Sequence, residues 1–281
     1  MQLPFHIDLK GQVAVVTGGS GVLGSVMVRA LAACGARVAV LARNQEKIDQ
    51  VVTKVREEGG EAFGYCVDVL NKDELLRARE HITATLGPCT VLLNGAGGNH
   101  PNATTGMEFY RQNGPLDEHS FFHLDPSAIS GLFDLNYLGT VLPTQVFAED
   151  MAAAGAGTII NVSSMNAYRP LTKIPAYSGA KAAISNLTQW LAVYFSKVGV
   201  RVNAIAPGFF LTKQNEELLI QEDGTFTERA EKILSQTPVE RFGEPDELIG
   251  TLLWLVDQKA SGFVNGVVIP IDGGFSAYSG V

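Results

Sequence analysis

The sequence predicts a three-layer α/β fold: a doubly wound, parallel, seven-stranded sheet with helices on both faces. Three observations carry that expectation. Seven short runs rich in Val, Ala and Ile alternate with longer stretches of helical periodicity. The runs are almost continuously apolar rather than alternating, the pattern of strands buried on both faces. The helical stretches between them are long enough to be crossovers joining parallel neighbours.

In chain order, the first run at 13–17 leads through a glycine-rich turn into a helix at 22–34. Runs at 37–41 and 62–66 are followed by helices at 45–58 and 72–86, each with apolar residues at helical spacing. After the fourth run, 91–94, the pattern predicts one long helix over 127–154, then a strand at 157–162 and a helix at 176–197. A strand at 201–206, a helix at 245–256 and a strand at 267–271 complete the series. Residues 98–124, rich in Asn, Gly, His and Pro, and the polar residues 209–237 break the rhythm and read as long substrate loops. The 281 residues show no linker, so one catalytic domain spanning 1–281 is expected.

Composition bounds the partners. Hydrophobic residues make up 46% and charged residues 18%, enough for a large core. The net charge of −8, without a Lys/Arg cluster, argues against nucleic acid or an anionic membrane surface. No apolar run approaches the roughly 20 residues a membrane span needs. Residues 1–10 carry Pro4, His6 and Asp8 where a leader would be apolar, so a cytoplasmic protein is expected. Cys34, Cys66 and Cys89 lack ligand spacing and lie in or beside apolar stretches, so they are read as small buried hydrophobes, with no metal site.

The turn after the first strand reads Thr17-Gly18-Gly19-Ser20-Gly21-Val22-Leu23-Gly24. Such a strand-to-helix turn lets the backbone approach a pyrophosphate, which then sits on free N–H groups at the helix start. Gly18, Ser20, Gly21, Val22, Leu23 and Gly24 are the candidates; a plain tight turn is the alternative. The second strand ends in Leu41-Ala42-Arg43-Asn44, without the carboxylate that would bind the ribose hydroxyls of NAD. Arg43 can instead pair with a 2′-phosphate, which favours NADP over NAD, unless it is a solvated surface residue. Asp68, after the third strand, can accept from an adenine amine or simply shape a turn.

Tyr177-Ser178-Gly179-Ala180-Lys181 opens the helix at 176–197, with Tyr177 and Lys181 on one face a turn apart. A nearby ammonium is expected to lower the phenol pKa towards the range of a general acid/base. Ser164 closes a strand 13 residues before Tyr177 and can help hold a carbonyl oxygen. Asn136 stands among Leu132, Phe133 and Leu135, where a buried amide needs partners.

Thr17-Gly18 with Gly24, Asn94-Gly95-Ala96-Gly97, Asn136, Ser164, Tyr177, Lys181, Pro207-Gly208 and Asp272-Gly273-Gly274 together resemble the short-chain dehydrogenase/reductase family, over residues 10–275. The resemblance implies a Rossmann-like fold, a nicotinamide cofactor, and a homotetramer, or a homodimer, formed through two long helices. It implies Tyr177 as acid/base, Lys181 on the nicotinamide ribose, Ser164 polarising a carbonyl and Asn136 holding a water in a proton relay. Asn44, Val69, Asn94, Gly95, Ala96, Gly97, Pro207, Gly208 and Phe210 would line the cofactor, and Thr212 would bind its carboxamide. Val22 stands where the family has glycine, and Gly95 replaces the family's second Asn.

Three segments go beyond the common frame, and all follow strand C-terminal ends, where open α/β sheets bind ligands. They supply Asn99, His100, Asn166 and Gln214 for hydroxyls and Arg169 or Lys173 for a carboxylate, a set suited to a polyhydroxy acid. His100 is alternatively a second acid/base. Each of these is otherwise a solvated loop residue. With the chain's ending, these segments are similar to the D-mannonate oxidoreductase (fructuronate reductase) branch, which interconverts D-fructuronate and D-mannonate and is often NAD-linked. Competing readings are a gluconate 5-dehydrogenase-like or 3-ketoacyl reductase, the latter predicting apolar loops, and an NADP(H)-sensing module without chemistry.

Overall fold

The computed structural model describes residues 6–112, 119–212 and 216–280. Strands β1 (Val13–Thr17), β2 (Arg37–Ala42), β3 (Glu61–Cys66), β4 (Val91–Asn94), β5 (Gly157–Val162), β6 (Val200–Pro207) and β7 (Val268–Ile271) form one sheet. All pairs are parallel, in the order β3-β2-β1-β4-β5-β6-β7, the doubly wound Rossmann-like arrangement. The order reverses at β1, which pairs with both β2 and β4 and so opens a crevice at its C-terminal end.

The continuous apolar runs are explained by two cores. Successive strand residues point to opposite faces, so Ala14 and Val16 of β1 pack on one side, and Val13 and Val15 on the other. On the first face lie α1 (Val22–Ala33), α2 (Gln45–Glu57) and a helix at Ile249–Val256, through Leu31, Ile48 and Leu252. On the second lie α3 (Lys72–Thr85), helices at Gly139–Ala154 and Pro175–Tyr194, through Ile82, Phe147 and Leu191. Each such fully buried side chain contributes about 1.5–3 kcal/mol relative to exposure.

The single helix expected over 127–154 is instead three pieces: α4 (Pro126–Phe133), a π-helical turn (Asp134–Leu138) and α5 (Gly139–Ala154). Side-chain competition for main-chain carbonyls accounts for the break. Asn136 Nδ2 donates to the Leu132 carbonyl at 2.9 Å, the acceptor that its own N–H would use in a regular helix. Thr140 Oγ1 likewise donates to the Asn136 carbonyl at 2.9 Å.

The next helix, α6 (Pro175–Tyr194), starts one residue before the expected position, with proline in the first turn, where its missing N–H is harmless. Residues 209–237, expected as irregular, contain α7 (Glu216–Leu219) and α8 (Glu228–Ser235), the latter capped by Thr227 accepting from the Ala230 N–H. The helix expected at 245–256 is a 3-10 turn (Pro245–Leu248) followed by α9 (Ile249–Val256), and α10 (Gln258–Ser261) precedes β7. Residues 98–124 contain two short 3-10 turns, Pro101–Ala103 and Phe121–His123. The cysteine expectation is corrected in part: Cys89 is buried and Cys34 half-buried, but Cys66, on edge strand β3, is exposed. Among the described residues, no helix is long and apolar enough to cross a membrane.

Candidate active site

The crevice at the end of β1 is built by close backbone approach. Gly18 has a φ of +64°, and a Cβ on it would stand 2.7 Å from the Gly95 carbonyl oxygen of the neighbouring strand end. A Cβ on Gly24 would collide with the Gly18 carbonyl. Thr17, fully buried, sends its hydroxyl oxygen across to accept the N–H groups of Gly95 and Ala96 at 3.2 and 3.3 Å. These contacts weld the glycine turn to the end of β4. Helix α1 then opens at Gly21 with no side-chain cap and no acidic residue in its first turn. Its first-turn N–H groups are therefore left for a ligand, and the positive helix end suits a pyrophosphate. Val22 takes the first helical position, so its replacement of the family's glycine leaves the turn intact.

Along the rest of the crevice, Arg43 is exposed after β2. The Asn44 side chain caps α2 by accepting the Lys47 N–H at 2.9 Å. Asp68 accepts the Leu70 N–H at 3.0 Å in the turn after β3, and Val69 is buried. The Asn94 side chain faces the interior rather than the crevice: Nδ2 donates to Thr144 Oγ1 at 3.0 Å and Asn161 Oδ1 at 2.9 Å. Asn161 continues this buried ladder to Thr188. Gly208 N donates to the Ile271 carbonyl at 2.9 Å, Phe210 is buried, and Thr212 is half-buried.

The four residues singled out for chemistry converge. Ser164 ends the segment after β5, 7% exposed, near enough to Tyr177 to pull the phenol pKa down. Tyr177 occupies the first turn of α6; one turn later, the Lys181 ammonium lies 5.6 Å from the centre of its ring. Lys181 Nζ donates to the Val162 carbonyl at 2.9 Å. Asn136 is fully buried; Nδ2 donates to the Gly98 carbonyl at 2.8 Å as well as to Leu132, and Oδ1 accepts the Gly98 N–H at 3.3 Å. Gly97 completes the group, since a Cβ there would meet Asn136 Oδ1 at 2.6 Å and Lys181 Nζ at 3.2 Å.

The electrostatics differ from the expectation that Lys181 would lower the phenol pKa. Burial pushes the Tyr177 phenol above its ordinary value, with the Ser164 hydrogen bond pulling the other way. Burial also lowers Lys181 to about 8. Both charged forms lose solvation on burial, and the ammonium donates to the Val162 carbonyl.

The proposed substrate side chains are more scattered. Asn166 is buried two residues after Ser164, its N–H donating to Ser164 Oγ at 3.3 Å. Asn99 Nδ2 donates to Thr104 Oγ1, and His100 Nδ1 accepts the Asn102 N–H, so both shape their own loop. Arg169 is exposed and donates one guanidinium N–H to the Tyr278 carbonyl in the C-terminal segment. Lys173 is exposed with a φ of 72°, and Gln214 lies outside the described residues. Thr17 and Ser163 were missed as site residues. Ser163 ties β5 to α6 by donating to the Lys181 carbonyl at 3.1 Å, and the Ser-Ser pair was its signal.

A family model for short chain dehydrogenases matches residues 12–223. An uncharacterised oxidoreductase of Bacillus subtilis is 52% identical, covering 99% of this chain and all of its own length. A solved structure from Haemophilus influenzae, described as a D-mannonate oxidoreductase with bound NAD, is 53% identical, covers both chains completely and superposes with a TM-score of 0.93. A gluconate 5-dehydrogenase from Burkholderia cenocepacia, in complex with NADP and tartrate, is 27% identical, with a TM-score of 0.82 over 98% of each chain. With the glycine crevice and the converging Asn136, Ser164, Tyr177 and Lys181 already in place, these likenesses make the chain a member of the short-chain dehydrogenase family, an oxidoreductase that uses a nicotinamide cofactor.

Proposed function

We propose that the protein transfers hydride between its nicotinamide cofactor and a keto or hydroxy sugar acid, D-fructuronate and D-mannonate being the favoured pair. The observation that carries this reading is the convergence of Ser164, Tyr177 and Lys181 beside Asn136 at the carboxyl edge of the sheet. The cofactor, when bound, supplies hydride to the keto carbon or takes it from the carbinol. Tyr177 gives its proton to the same substrate oxygen that becomes the alcohol, and burial keeps that phenol protonated and ready. Ser164 donates a hydrogen bond to that oxygen and steadies its developing charge. Lys181, anchored by one donor to Val162, has two more for ribose hydroxyls. Asn136 has both amide hydrogens engaged and accepts the Gly98 N–H at Oδ1, so a relay water would meet it as a donor to one of its oxygens.

Gly18 to Gly24, Asp68, Val69, Ala96, Gly97, Gly208 and Thr212 are the residues we assign to the cofactor. Arg43, with no acid at Ala42, supports NADP. The Haemophilus relative, with NAD bound, supports NAD. The whole chain acts as one cytoplasmic catalytic domain, assembled as a homotetramer through α5 and α6. The exposed groove there, lined by Leu138, Trp190 and Tyr194, supports that assembly.

A second sugar-acid reading, gluconate 5-dehydrogenase, is favoured by the Burkholderia relative, which holds the hydroxy acid tartrate. One assay separates these readings: NADH and NADPH oxidation against D-fructuronate, 5-ketogluconate and a ketoacyl thioester. Turnover confined to the thioester would overturn the sugar-acid reading. Tyr177→Phe is expected to lower kcat by about 100-fold or more on the scale of general acid/base catalysis. Wild-type turnover in that variant would remove Tyr177 from the mechanism.

A further inference from the structure

The loop after β4 touches the loop after β5 at Thr105 and the loop after β6 at Glu108. Helices α7 and α8 pack on each other through Leu219, Ala230 and Ile233, a small cluster separate from the two sheet cores. Such a satellite unit has a low local stability and depends on its tethers. One tether is main-chain pairing beside Phe210: Leu211 N donates to the Gly243 carbonyl and Gly243 N to the Phe209 carbonyl, each at 2.9 Å. The other joins α8 to a different loop at the carboxyl end of the sheet. Lys232 of α8 forms an ion pair with Glu108, 124 residues earlier in the chain, in the loop after β4.

The loop after β5 joins close by. Thr105 N donates to the Lys173 carbonyl at 2.8 Å, three residues from Glu108. Lys173 holds a left-handed φ of 72°, a conformation that a residue with a Cβ keeps only when its neighbours enforce it. Lys232 foremost, with Lys173 beyond it, holds the Glu108 carboxyl below its ordinary value.

We propose that Glu108 is a positioning residue, whose carboxylate clasps α8 through Lys232 to the loops after β4 and β5 and so keeps the substrate edge of the cleft closed. This goes beyond the assigned chemistry and rests on substrate entering at the carboxyl edge of the sheet. The size of the effect suits the task. An exposed ion pair biases an equilibrium by up to about fivefold, enough to favour closure while letting the loop open in every turnover.

The test combines hydrogen exchange with kinetics on Glu108→Gln, Lys232→Met and the double variant. In the ligand-free protein, either single change is expected to speed amide exchange in α8 by about two- to fivefold, and the double no further, because one interaction is removed only once. Exchange in β1 and β4 stays unchanged. KM for the sugar acid rises by about the same two- to fivefold, while kcat moves less than about twofold and NAD(P)H affinity is unaltered. Additive effects in the double variant, or unchanged α8 exchange, would overturn the clasp. Faster α8 exchange with an unchanged KM would overturn its role in closing the cleft. The exchange arm needs no substrate, so it fails or succeeds independently of the sugar-acid reading.

Discussion

Raising the pH is expected to stabilise the wild-type protein relative to a Lys181→Met variant. Lys181 is 4% exposed, and its ammonium is held by a single carbonyl, that of Val162, so burial lowers it to about 8 from an ordinary 10.5. Because the folded value lies below the unfolded one, the unfolded chain binds more protons between those two pH values, and stability rises with pH across that window. The gap corresponds to on the order of 3 kcal/mol of folding free energy, withheld below about pH 8 and recovered by about pH 10.5. Methionine fills similar space without a charge, and the lost hydrogen bond to Val162 adds an offset that does not vary with pH. Other titrating groups are common to both proteins and cancel in the difference. Urea unfolding, followed by tryptophan fluorescence at one fixed protein concentration, gives the free-energy difference at each pH. The wild type is expected to gain on the variant by about 3 kcal/mol between pH 7 and pH 10.5. A difference that stays constant within about 1 kcal/mol would refute the view of Lys181 as a poorly solvated, strained ammonium.

Other expectations follow from single contacts. Gly24→Ala drives a methyl group into the Gly18 carbonyl, so NAD(P)H affinity is expected to fall by about tenfold or more, read by cofactor fluorescence, with circular dichroism unchanged. Asn136→Ala leaves Gly98 without its side-chain partners and removes the competitor for the Leu132 carbonyl; kcat is expected to fall by about tenfold or more and stability by about 1–3 kcal/mol, measured by steady-state kinetics and urea titration. Arg201→Met strips the donor from Thr158, Ser261 and the carbonyls of Leu255 and Val256, all buried, and from the half-buried Val264 carbonyl. A loss of about 3 kcal/mol or more in urea unfolding is expected, whereas a surface role would leave the midpoint unmoved.

The sheet was legible because strands buried on both faces leave an unmixed apolar signal: VAVVT at β1 and VLLN at β4 stand at their expected boundaries. The π turn was not, because Leu132, Phe133 and Leu135 keep helical spacing through it, and only the Asn136 side chain, in three dimensions, takes the carbonyl that a regular helix needs. Helix α8 was hidden by polarity; its apolar face is confined to Ala230, Ile233 and Leu234, too little to stand out in a loop. At the site, the Tyr177–Lys181 spacing read correctly as proximity, but the direction of the phenol shift depended on burial, which no spacing reports. Asn94 and Arg169 show the same limit from another side. Each has the chemistry expected of a ligand contact, but one side chain turns into the core and the other to the C-terminal segment.

The π turn at Asp134–Leu138 also works as a phase adjuster. Each residue of an α-helix advances about 100° around its axis, so the widened turn rotates everything after it relative to α4. That offset lets Ala128 and Leu132 of α4 pack towards Ala176 and Ala180, while Val146, Phe147 and Met151 of α5 meet the sheet. Removing one residue here would turn the segment into ordinary α-helix and leave the apolar stripe of α5 facing β4 and β5, but would take away the widened turn that seats Asn136. The extra residue is therefore spent on the seat of Asn136 rather than on the packing of α5.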